Sequence, residues 1–376
     1  MTDERVERLA DILVSYSMEV QPGHYVALYG SHEADELLRA LYRKVLQAGA
    51  YPYVFSGYDV YFSYGGYDDI FFREASEEQL QHVFRTDRMV LEEFDAMLSI
   101  RSQSNTRTLS GVDPARISVR SRAYSDLRKT YFDRGASGDL KWTVTMYPTN
   151  AYAQDAEMSR DEFADFVFGA CYADRDDPVA VWRGIHERQQ VLVDWLDKKK
   201  EIKVKGSNID LSLSIDGRKF INSDGTANMP SGEIFTGPVE DSVEGWVRFS
   251  YPAVTRGVEV NGVELRFEKG KVVEAKAEKN EAFLKEMLAV DEGASYLGEW
   301  AIGTNDRIDR FIKNILFDEK IGGTIHMAIG AGYPETGSVN DSAIHWDMIC
   351  DMGDDGQIYV DDELFYRGGK FLIEEE

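Results

Sequence analysis

The sequence predicts an α/β protein in two parts: a layered N-terminal α/β domain with parallel strands, followed by a mainly antiparallel β-rich α+β domain. Three observations support this prediction. The 376 residues are enough for two domains at about 150 residues each. The first half contains a strand, a helix and a second strand within about thirty residues, and after Glu201 the pattern changes to short strands and tight turns. We therefore expect one domain over residues 1–200 and a second over residues 201–376.

The first half begins with an amphipathic helix and continues as a βαβ unit. Apolar residues recur at helical spacing over residues 6–16, which predicts the first helix. Short apolar runs at 25–29 and 51–55 then enclose a helical pattern at 33–48. A strand, a helix and a strand in this order predict parallel strands joined by a right-handed crossover. Further strands are predicted at 96–100 and 142–146, and a long helix is predicted at about 177–200.

The second half has the pattern of antiparallel strands joined by turns. Strands are predicted at 202–205 and 211–215. Asn261-Gly262 interrupts an alternating run at 258–267, and this dipeptide is the strongest short hairpin signal. We therefore expect a hairpin there, a second turn at 268–271, and a helix near 281–288.

The composition argues against several partners. The chain carries 67 acidic and 42 basic side chains, and its formal net charge of −25 repels phosphate backbones and anionic lipids. We therefore expect neither nucleic acid nor a membrane as a partner. The charged N-terminal segment, and the lack of an uncharged apolar run of about 18 residues, predict a cytoplasmic protein. Cys171 and Cys350 lie far apart and predict reduced, buried thiols.

A histidine and an aspartate near the C-terminus have the pattern of a metal clamp. His345 and Asp347 lie two residues apart in an apolar run, so a strand would place both on one face and their apolar neighbours on the other. Imidazole and carboxylate ligands suit zinc, cobalt or manganese. A hydrogen-bonded pair on a wet sheet face is the alternative that this motif alone leaves open.

Three further residues could complete such a site. His326 lies in a glycine-bracketed apolar run, where a lone polar ring needs a partner. Glu233 and Glu299 each interrupt an apolar, turn-rich stretch instead of lying on a charged helix face. A buried hydrogen-bonding or capping role is the alternative for each glutamate. Together with His345 and Asp347 they supply five ligands, the inventory that a two-metal hydrolytic site needs.

Four motifs that contain these residues resemble the aminopeptidase T family of metallopeptidases, which includes aminopeptidase S and PepS. The motifs are the segments 228–238, 296–303, 325–334 and 342–347, and the first half fits the family more weakly. Carried over residue by residue, the resemblance implies metal ligands at Glu233, Glu299, His326, His345 and Asp347, with Glu299 between the two ions. It also implies an active-site tyrosine at Tyr333.

The resemblance implies an aminopeptidase that removes N-terminal residues from peptides with two divalent cations, of zinc, cobalt, manganese or magnesium. Water held between two cations loses its proton near neutral pH. A carboxylate, Glu299 or Glu233, would carry the proton to the leaving amine, and Tyr333 would donate to the oxyanion. We expect peptide substrates with a free N-terminus, a homodimer, and a first domain that limits access to the metals and takes part in dimerisation.

Three alternatives remain at this point. Ring-cleaving dioxygenases of the dihydroxypyridine type resemble the same family and use one iron, but a single iron site has no need of both Glu233 and Glu299. A nucleotide-binding protein built on the N-terminal βαβ unit is the second alternative, and residues 30–33 lack a glycine-rich phosphate motif. The third is a non-catalytic binding protein, against which the full ligand set argues.

Overall fold

The computed structural model of the chain describes residues 3–57, 67–255 and 257–373. The described chain packs as two compact units. The first unit runs to Trp182 and also includes Gly225–Pro230, and the second comprises Arg183–Asp224 and the chain from Ser231 onward. The chain thus leaves the first unit within a long helix, ahead of the domain boundary near residue 200 that the sequence suggests. The boundary is hidden in the sequence because the helical pattern continues through it.

Most of the α-helices lie in the N-terminal half of the chain. The first of them begins after Asp3, whose side chain accepts a hydrogen bond from the Arg5 N–H and so caps the helix. It continues as a π-helix over Ile12–Ser17. The α-helices are α1 (Glu4–Asp11), α2 (Asp35–Gln47), α3 (Asp68–Glu74), α4 (Glu77–Gln81), α5 (Arg85–Glu93), α6 (Pro114–Ala123), α7 (Ser125–Ser137), α8 (Asn150–Asp155), α9 (Arg160–Ala170), α10 (Pro178–Leu196), α11 (Glu281–Leu288) and α12 (Ile315–Asp318).

The strands form one parallel sheet in the first unit and antiparallel sheets in the second. Over the described ranges, no helix is both long enough and apolar enough to cross a membrane. The strands are β1 (Tyr25–Gly30), β2 (Tyr51–Ser56), β3 (Ala96–Arg101), β4 (Lys141–Met146), β5 (Glu201–Gly206), β6 (Ile209–Ser214), β7 (Ile221–Ser223), β8 (Asn228–Met229), β9 (Glu233–Thr236), β10 (Glu244–Arg248), β11 (Ala253–Thr255), β12 (Val258–Val260), β13 (Glu264–Glu268), β14 (Lys271–Lys276), β15 (Leu297–Gly303), β16 (Thr324–Gly330), β17 (His345–Asp351), β18 (Gln357–Val360), β19 (Glu363–Arg367) and β20 (Lys370–Phe371).

The first unit is built on a five-stranded parallel sheet with the strand order β2-β1-β3-β4-β8. Strands β1 and β2 pair in parallel from Tyr25 opposite Tyr51 to Gly30 opposite Ser56, with α2 between them in sequence. Strand β1 lies inside the sheet, and its central Val26, Ala27 and Leu28 are fully buried, as expected for a parallel strand covered on both faces. The predicted βαβ unit is confirmed.

The second unit contains an eight-stranded antiparallel sheet in the order β14-β13-β10-β6-β5-β18-β19-β20 and a five-stranded antiparallel sheet in the order β17-β16-β15-β9-β7. A single apolar core joins alternate residues of both sheets with Leu192 and Leu196 of α10 and Leu284 and Met287 of α11. The predicted fold class, a parallel α/β half followed by a mainly antiparallel half, is confirmed.

The hairpin predicted at Asn261-Gly262 is wrong. Strand β12, which precedes this dipeptide, pairs with β11, and β13, which follows it, pairs with β10 and β14. Gly262 adopts the left-handed backbone of a turn residue, with φ of 62°. The short β12 offers β13 only a three-residue ladder, whereas β10 and β14 offer longer ones, so long-range pairing overrides the local signal.

The turn predicted at residues 268–271 is confirmed. It joins β13 to β14, and Glu268 lies directly opposite Lys271. Lys269 and Gly270 both have positive φ, 50° and 76°, as a two-residue hairpin turn of the primed type requires. The helix predicted near 281–288 is α11, and it has those bounds.

Candidate metal centre

The five predicted ligands lie on one face of the second unit's five-stranded sheet. Glu233 begins β9, Glu299 lies on β15, His326 on β16, and His345 and Asp347 on β17. The sheet register places Gly303 opposite Glu233, Ala301 opposite His326, Glu299 opposite Ala328, Ala328 opposite Asp347, and Gly330 opposite His345. Residues opposite each other, and residues two apart along a strand, share a face. The pleat therefore places all five side chains on the same face of this sheet.

Small residues between the candidate ligands let the side chains converge. Ala328 lies between Glu299 and Asp347 in the register, so the two carboxylates reach toward each other above a methyl group. The opposite face of these strands carries large apolar side chains, among them Trp300, Met327 and Trp346, and these belong to the core. One ligand atom from each of Glu299, His326 and Asp347 lies within 4.8 Å of the others.

Nε2 of His326 faces two carboxylates at once. It lies 3.1 Å from Oε1 of Glu299 and 3.2 Å from Oε2 of Glu233. His326 is completely buried, and the two glutamates are each 5% exposed. A divalent cation held tetrahedrally by bonds of about 2.0–2.1 Å places its ligand atoms about 3.3 Å apart, so these spacings suit a shared cation.

The second histidine is paired with the aspartate of its own strand. Nε2 of His345 lies 3.3 Å from Oδ1 of Asp347, as the period-two pattern predicts. Nδ1 of His345 donates to the carbonyl oxygen of Ala331 at 2.8 Å, which fixes the ring and leaves Nε2 for a ligand. Metal-binding histidines almost always donate their other N–H in this way.

Several buried oxygen atoms at the centre lack a hydrogen-bond partner. Within the described chain, none is found for Glu233 Oε2, Glu299 Oε2 or Asp347 Oδ1, nor for Nδ1 of His326. Buried charged oxygens are costly unless a cation or a donor satisfies them. Three carboxylates, each with one unsatisfied buried oxygen, lie beside two imidazoles and form a donor set that fits divalent metal ions.

Nearby positive charges favour the anionic form of two of the three carboxylates. Burial works to raise the pKa of Glu233, but the Lys320 ammonium and the His326 ring outweigh it and lower that pKa. Burial acts in the same direction on Asp347, and there the charge of His345 prevails and holds the pKa well below its ordinary value. For Glu299 burial dominates and raises the pKa. The carboxylate of Glu299 is therefore the one that depends most on a nearby cation.

Tyr333 lies beside the centre, on the segment that follows β16. Its ring packs against the ring of His345 at a centroid distance of 5.3 Å and against Phe235 at 5.4 Å. The residue is 41% exposed. Burial of the hydroxyl and the negative charges of Glu299 and Asp347 raise its pKa well above the ordinary value, so the phenol keeps its proton at neutral pH. A protonated phenol at this position is a hydrogen-bond donor.

Two residues that contact Glu233 were not predicted from the sequence. Lys320 is completely buried and lies 3.6 Å from Oε1 of Glu233. Gln189, on α10, donates to the carbonyl oxygen of Glu233 and accepts from the Thr304 hydroxyl. The only sequence signal for Lys320 is a short charged run, Asp318-Glu319-Lys320, between Phe317 and Ile321. Such a run is typical of a solvated surface turn.

The fold and this cluster define the class of the protein, an α/β protein with the donor set of a divalent metal centre. The sequence model of a metalloprotease family, described as thermophilic metalloprotease (M29), matches residues 2–371. The chain belongs to this M29 family of metalloproteases. The prediction of a metal-dependent peptide hydrolase is thereby confirmed.

Characterised relatives cover nearly the whole chain. Aminopeptidase 2 of Geobacillus stearothermophilus is 28% identical over 417 residues, covering 99% of this chain and 98% of the relative. Aminopeptidase T of Thermus thermophilus is 27% identical over 363 residues, covering 88% of this chain and 85% of the relative. Aminopeptidase PepS of Streptococcus thermophilus is 28% identical over 362 residues, with coverages of 88% and 84%.

Two solved structures share the fold. Wild-type AmpT from Thermus thermophilus superposes with a TM-score of 0.83 at 24% sequence identity, covering 98% of this chain and 99% of that one. The 2,5-dihydroxypyridine dioxygenase of Pseudomonas putida KT2440 superposes with a TM-score of 0.57 at 14% identity, covering 98% and 97%. At these identities the likeness is one of fold alone. The match to AmpT is the better of the two.

Proposed function

We propose that this chain is a metal-dependent aminopeptidase that removes N-terminal residues from peptides with the help of two divalent cations. The observation that carries the proposal is the single sheet face that brings three carboxylates, each with one unsatisfied buried oxygen, together with two histidines. The relatives named aminopeptidase, which match the chain over most of its length, support exopeptidase action.

The five candidate ligands divide into two groups that share Glu299. His326 Nε2, Glu233 Oε2 and Glu299 Oε1 form the first group, and their spacings of 3.1 and 3.2 Å leave room for one cation. His345 and Asp347 form the second, with the free Oε2 of Glu299 available to it. Glu299 would therefore bridge two cations, which zinc, cobalt, manganese or magnesium could provide.

Bound cations of this kind would supply Lewis acidity and lower the pKa of a bound water to about 7. The chain's own groups account for the rest of the proposed chemistry. Glu299 or Glu233, whichever keeps an oxygen free of the cations, would accept the proton of the attacking water and deliver it to the leaving amine. Tyr333 donates its phenolic proton in a hydrogen bond to the oxyanion that forms at the scissile carbonyl.

The state of the cysteines bears on where in the cell the enzyme works. The buried cysteines, Cys171 and Cys350, both lie in the described chain and are not joined to each other. Free cysteines suit a reducing compartment, which supports a cytoplasmic location. We further propose that residues 1–200 limit access to the metals and take part in a homodimer, so that residues 201–376 act on peptides and not on folded chains.

The test of this proposal compares one peptide with its N-acetylated form and with a folded protein that begins with the same residues. We expect stepwise release of N-terminal residues from the free peptide and at least about a hundredfold slower cleavage of the acetylated peptide, because the exopeptidase needs the free amine. The folded protein should remain intact. Comparable cleavage of the acetylated peptide, or cuts inside the folded protein, would contradict exopeptidase action.

A further inference from the structure

A completely buried lysine lies next to the candidate ligand Glu233. Nζ of Lys320 lies 3.6 Å from Oε1 of Glu233, and it also forms an ion pair with the carboxylate of Glu319. The Lys320 side chain is 0% exposed. The oxygen of Glu233 that faces Lys320 is the one that turns away from His326, since Oε2 is the atom 3.2 Å from the imidazole.

Backbone hydrogen bonds fix the main chain of Lys320. The Lys320 N–H donates to the carbonyl oxygen of Phe317 at 2.9 Å, and the Lys320 carbonyl accepts from the Asn305 N–H at 3.1 Å. The fully buried side chain therefore reaches Glu233 from a main chain that is held on both sides. Burying an ammonium has an effective penalty of several kcal/mol unless it is paired and hydrogen-bonded, and Glu233 and Glu319 supply that pairing.

The position of Lys320 excludes direct action on a substrate. A group with no exposed surface cannot touch a peptide, so any effect on the reaction has to pass through Glu233. A carboxylate with both oxygens free can bind a cation through either one or through both. A carboxylate with one oxygen held by an ammonium presents only the other.

We propose that Lys320 is a positioning residue that holds Oε1 of Glu233, so that Glu233 binds its cation through Oε2 alone. This inference rests on the proposed metal centre. The carboxylate of Glu319 pairs with the ammonium from its other side. Partners of ligands typically change metal affinity or activity by about 10–100-fold when they are removed.

The test measures metal binding and not activity. Metal-depleted protein is titrated with Co²⁺, followed by its visible absorption, and with Zn²⁺ by calorimetry. The variants are Lys320→Met, Glu233→Gln and the double variant, with Lys276→Met as the matched control, because Lys276 is also paired with a glutamate but is exposed. Lys320→Gln, which keeps a hydrogen-bond donor without the charge, replaces Lys320→Met should the latter fail to fold.

We expect Lys320→Met to weaken binding of one Co²⁺ equivalent by about tenfold or more and to change its absorption spectrum, because the freed Oε1 alters the ligand set. In the Glu233→Gln background the same substitution should change affinity by less than about twofold, since its target is gone. The Lys276→Met control should bind as the wild type does.

Three results would overturn the inference. Wild-type affinity and spectrum in Lys320→Met would show that Glu233 needs no anchor. Equal losses in both backgrounds would show that Lys320 acts through Glu319 or the fold. Wild-type binding by Glu233→Gln would remove Glu233 from the ligand set, and the proposed centre would fail together with the inference. When Glu233→Gln weakens binding and Lys320→Met does not, the inference alone fails.

Discussion

Glu299 is the residue on which the centre depends most. Oε1 faces His326 and Oε2 is free, so it is the candidate ligand with one oxygen for each group of ligands. It is also the carboxylate whose pKa is raised by burial, so a neighbouring cation has the largest effect on its charge. A neutral amide at this position has the same shape but no anionic oxygen to share.

We predict that Glu299→Gln keeps the fold and lowers turnover by about a hundredfold or more, the range expected for loss of an acid or base or of a metal bridge. Turnover and metal content are measured on the same preparation. Glu286→Gln serves as the control, because Glu286 is an exposed glutamate of α11. Normal peptide hydrolysis by Glu299→Gln would mean that Glu299 is structural.

His345 and Asp347 form the partly exposed edge of the centre. The side chain of His345 is 28% exposed and that of Asp347 is 10% exposed. We predict that His345→Ala and Asp347→Ala each lose metal and activity, while the far-UV circular dichroism stays close to that of the wild type. Removing either side chain opens no apolar cavity. Wild-type metal content in either variant would mean that His345 and Asp347 are a hydrogen-bonded pair and not metal ligands.

The strands around Ala328 decide how closely the ligands approach. Because Ala328 lies between Glu299 and Asp347, its small side chain sets the gap above the sheet. We predict that Ala328→Val weakens Zn²⁺ binding by about tenfold or more, since the added carbons push the carboxylates apart. Met327→Leu, on the core face of the same strand, is the control for strand packing. Calorimetric titration with unchanged affinity in Ala328→Val would contradict this account of the sheet face.

The segment between β16 and β17, residues 331–344, carries Tyr333 and is anchored by Glu240. The Glu240 carboxylate accepts from the Val339 N–H at 2.8 Å and from Arg218 at 2.5 Å. Burial works to raise the pKa of Glu240, but the Val339 N–H and the charge of Arg218 prevail and lower it. A lowered pKa in the folded state means that the anionic carboxylate stabilises the fold.

We predict that Glu240→Gln lowers the free energy of unfolding by about 1.5–3 kcal/mol at neutral pH, the range for hydrogen bonds to charged groups. The difference from the wild type should be complete above the carboxyl's ordinary pKa of about 4.3 and should disappear as the pH falls through the lowered folded-state value. Denaturant unfolding between pH 3 and 7 measures this. Asp241→Asn, an exposed neighbour, is the control, and a loss that does not depend on pH would contradict the assignment.

At the scale of the whole molecule, the sequence predicts elements whose signals are local. The βαβ unit follows from alternating strand and helix patterns, and the pairing of β1 with β2 confirms it. The hairpin at Asn261-Gly262 failed because the partners of β13 are set by strands elsewhere in the chain. The break between the two units at Trp182 has no sequence signal, since the helix runs through it.

The same contrast applies to the candidate centre. Glu233, Glu299, His326, His345 and Asp347 stood out because each is a polar residue in an apolar run, and the structure brings them onto one sheet face. Lys320 did not stand out, because a short charged run is ordinary on a surface and only the tertiary fold buries it. The role of each candidate ligand stays a prediction that metal binding has to test.

We propose that these five side chains hold two catalytic cations. The most direct measurement titrates metal-depleted protein with Zn²⁺ or Co²⁺ and follows both bound metal per chain and release of the N-terminal residue from a peptide. We expect activity to rise to its full value as two equivalents bind, a chelator to remove that activity reversibly, and Asp347→Ala to bind fewer equivalents. Full turnover by the metal-free chain, or saturation by a single iron with oxygen-dependent ring cleavage, would contradict this proposal.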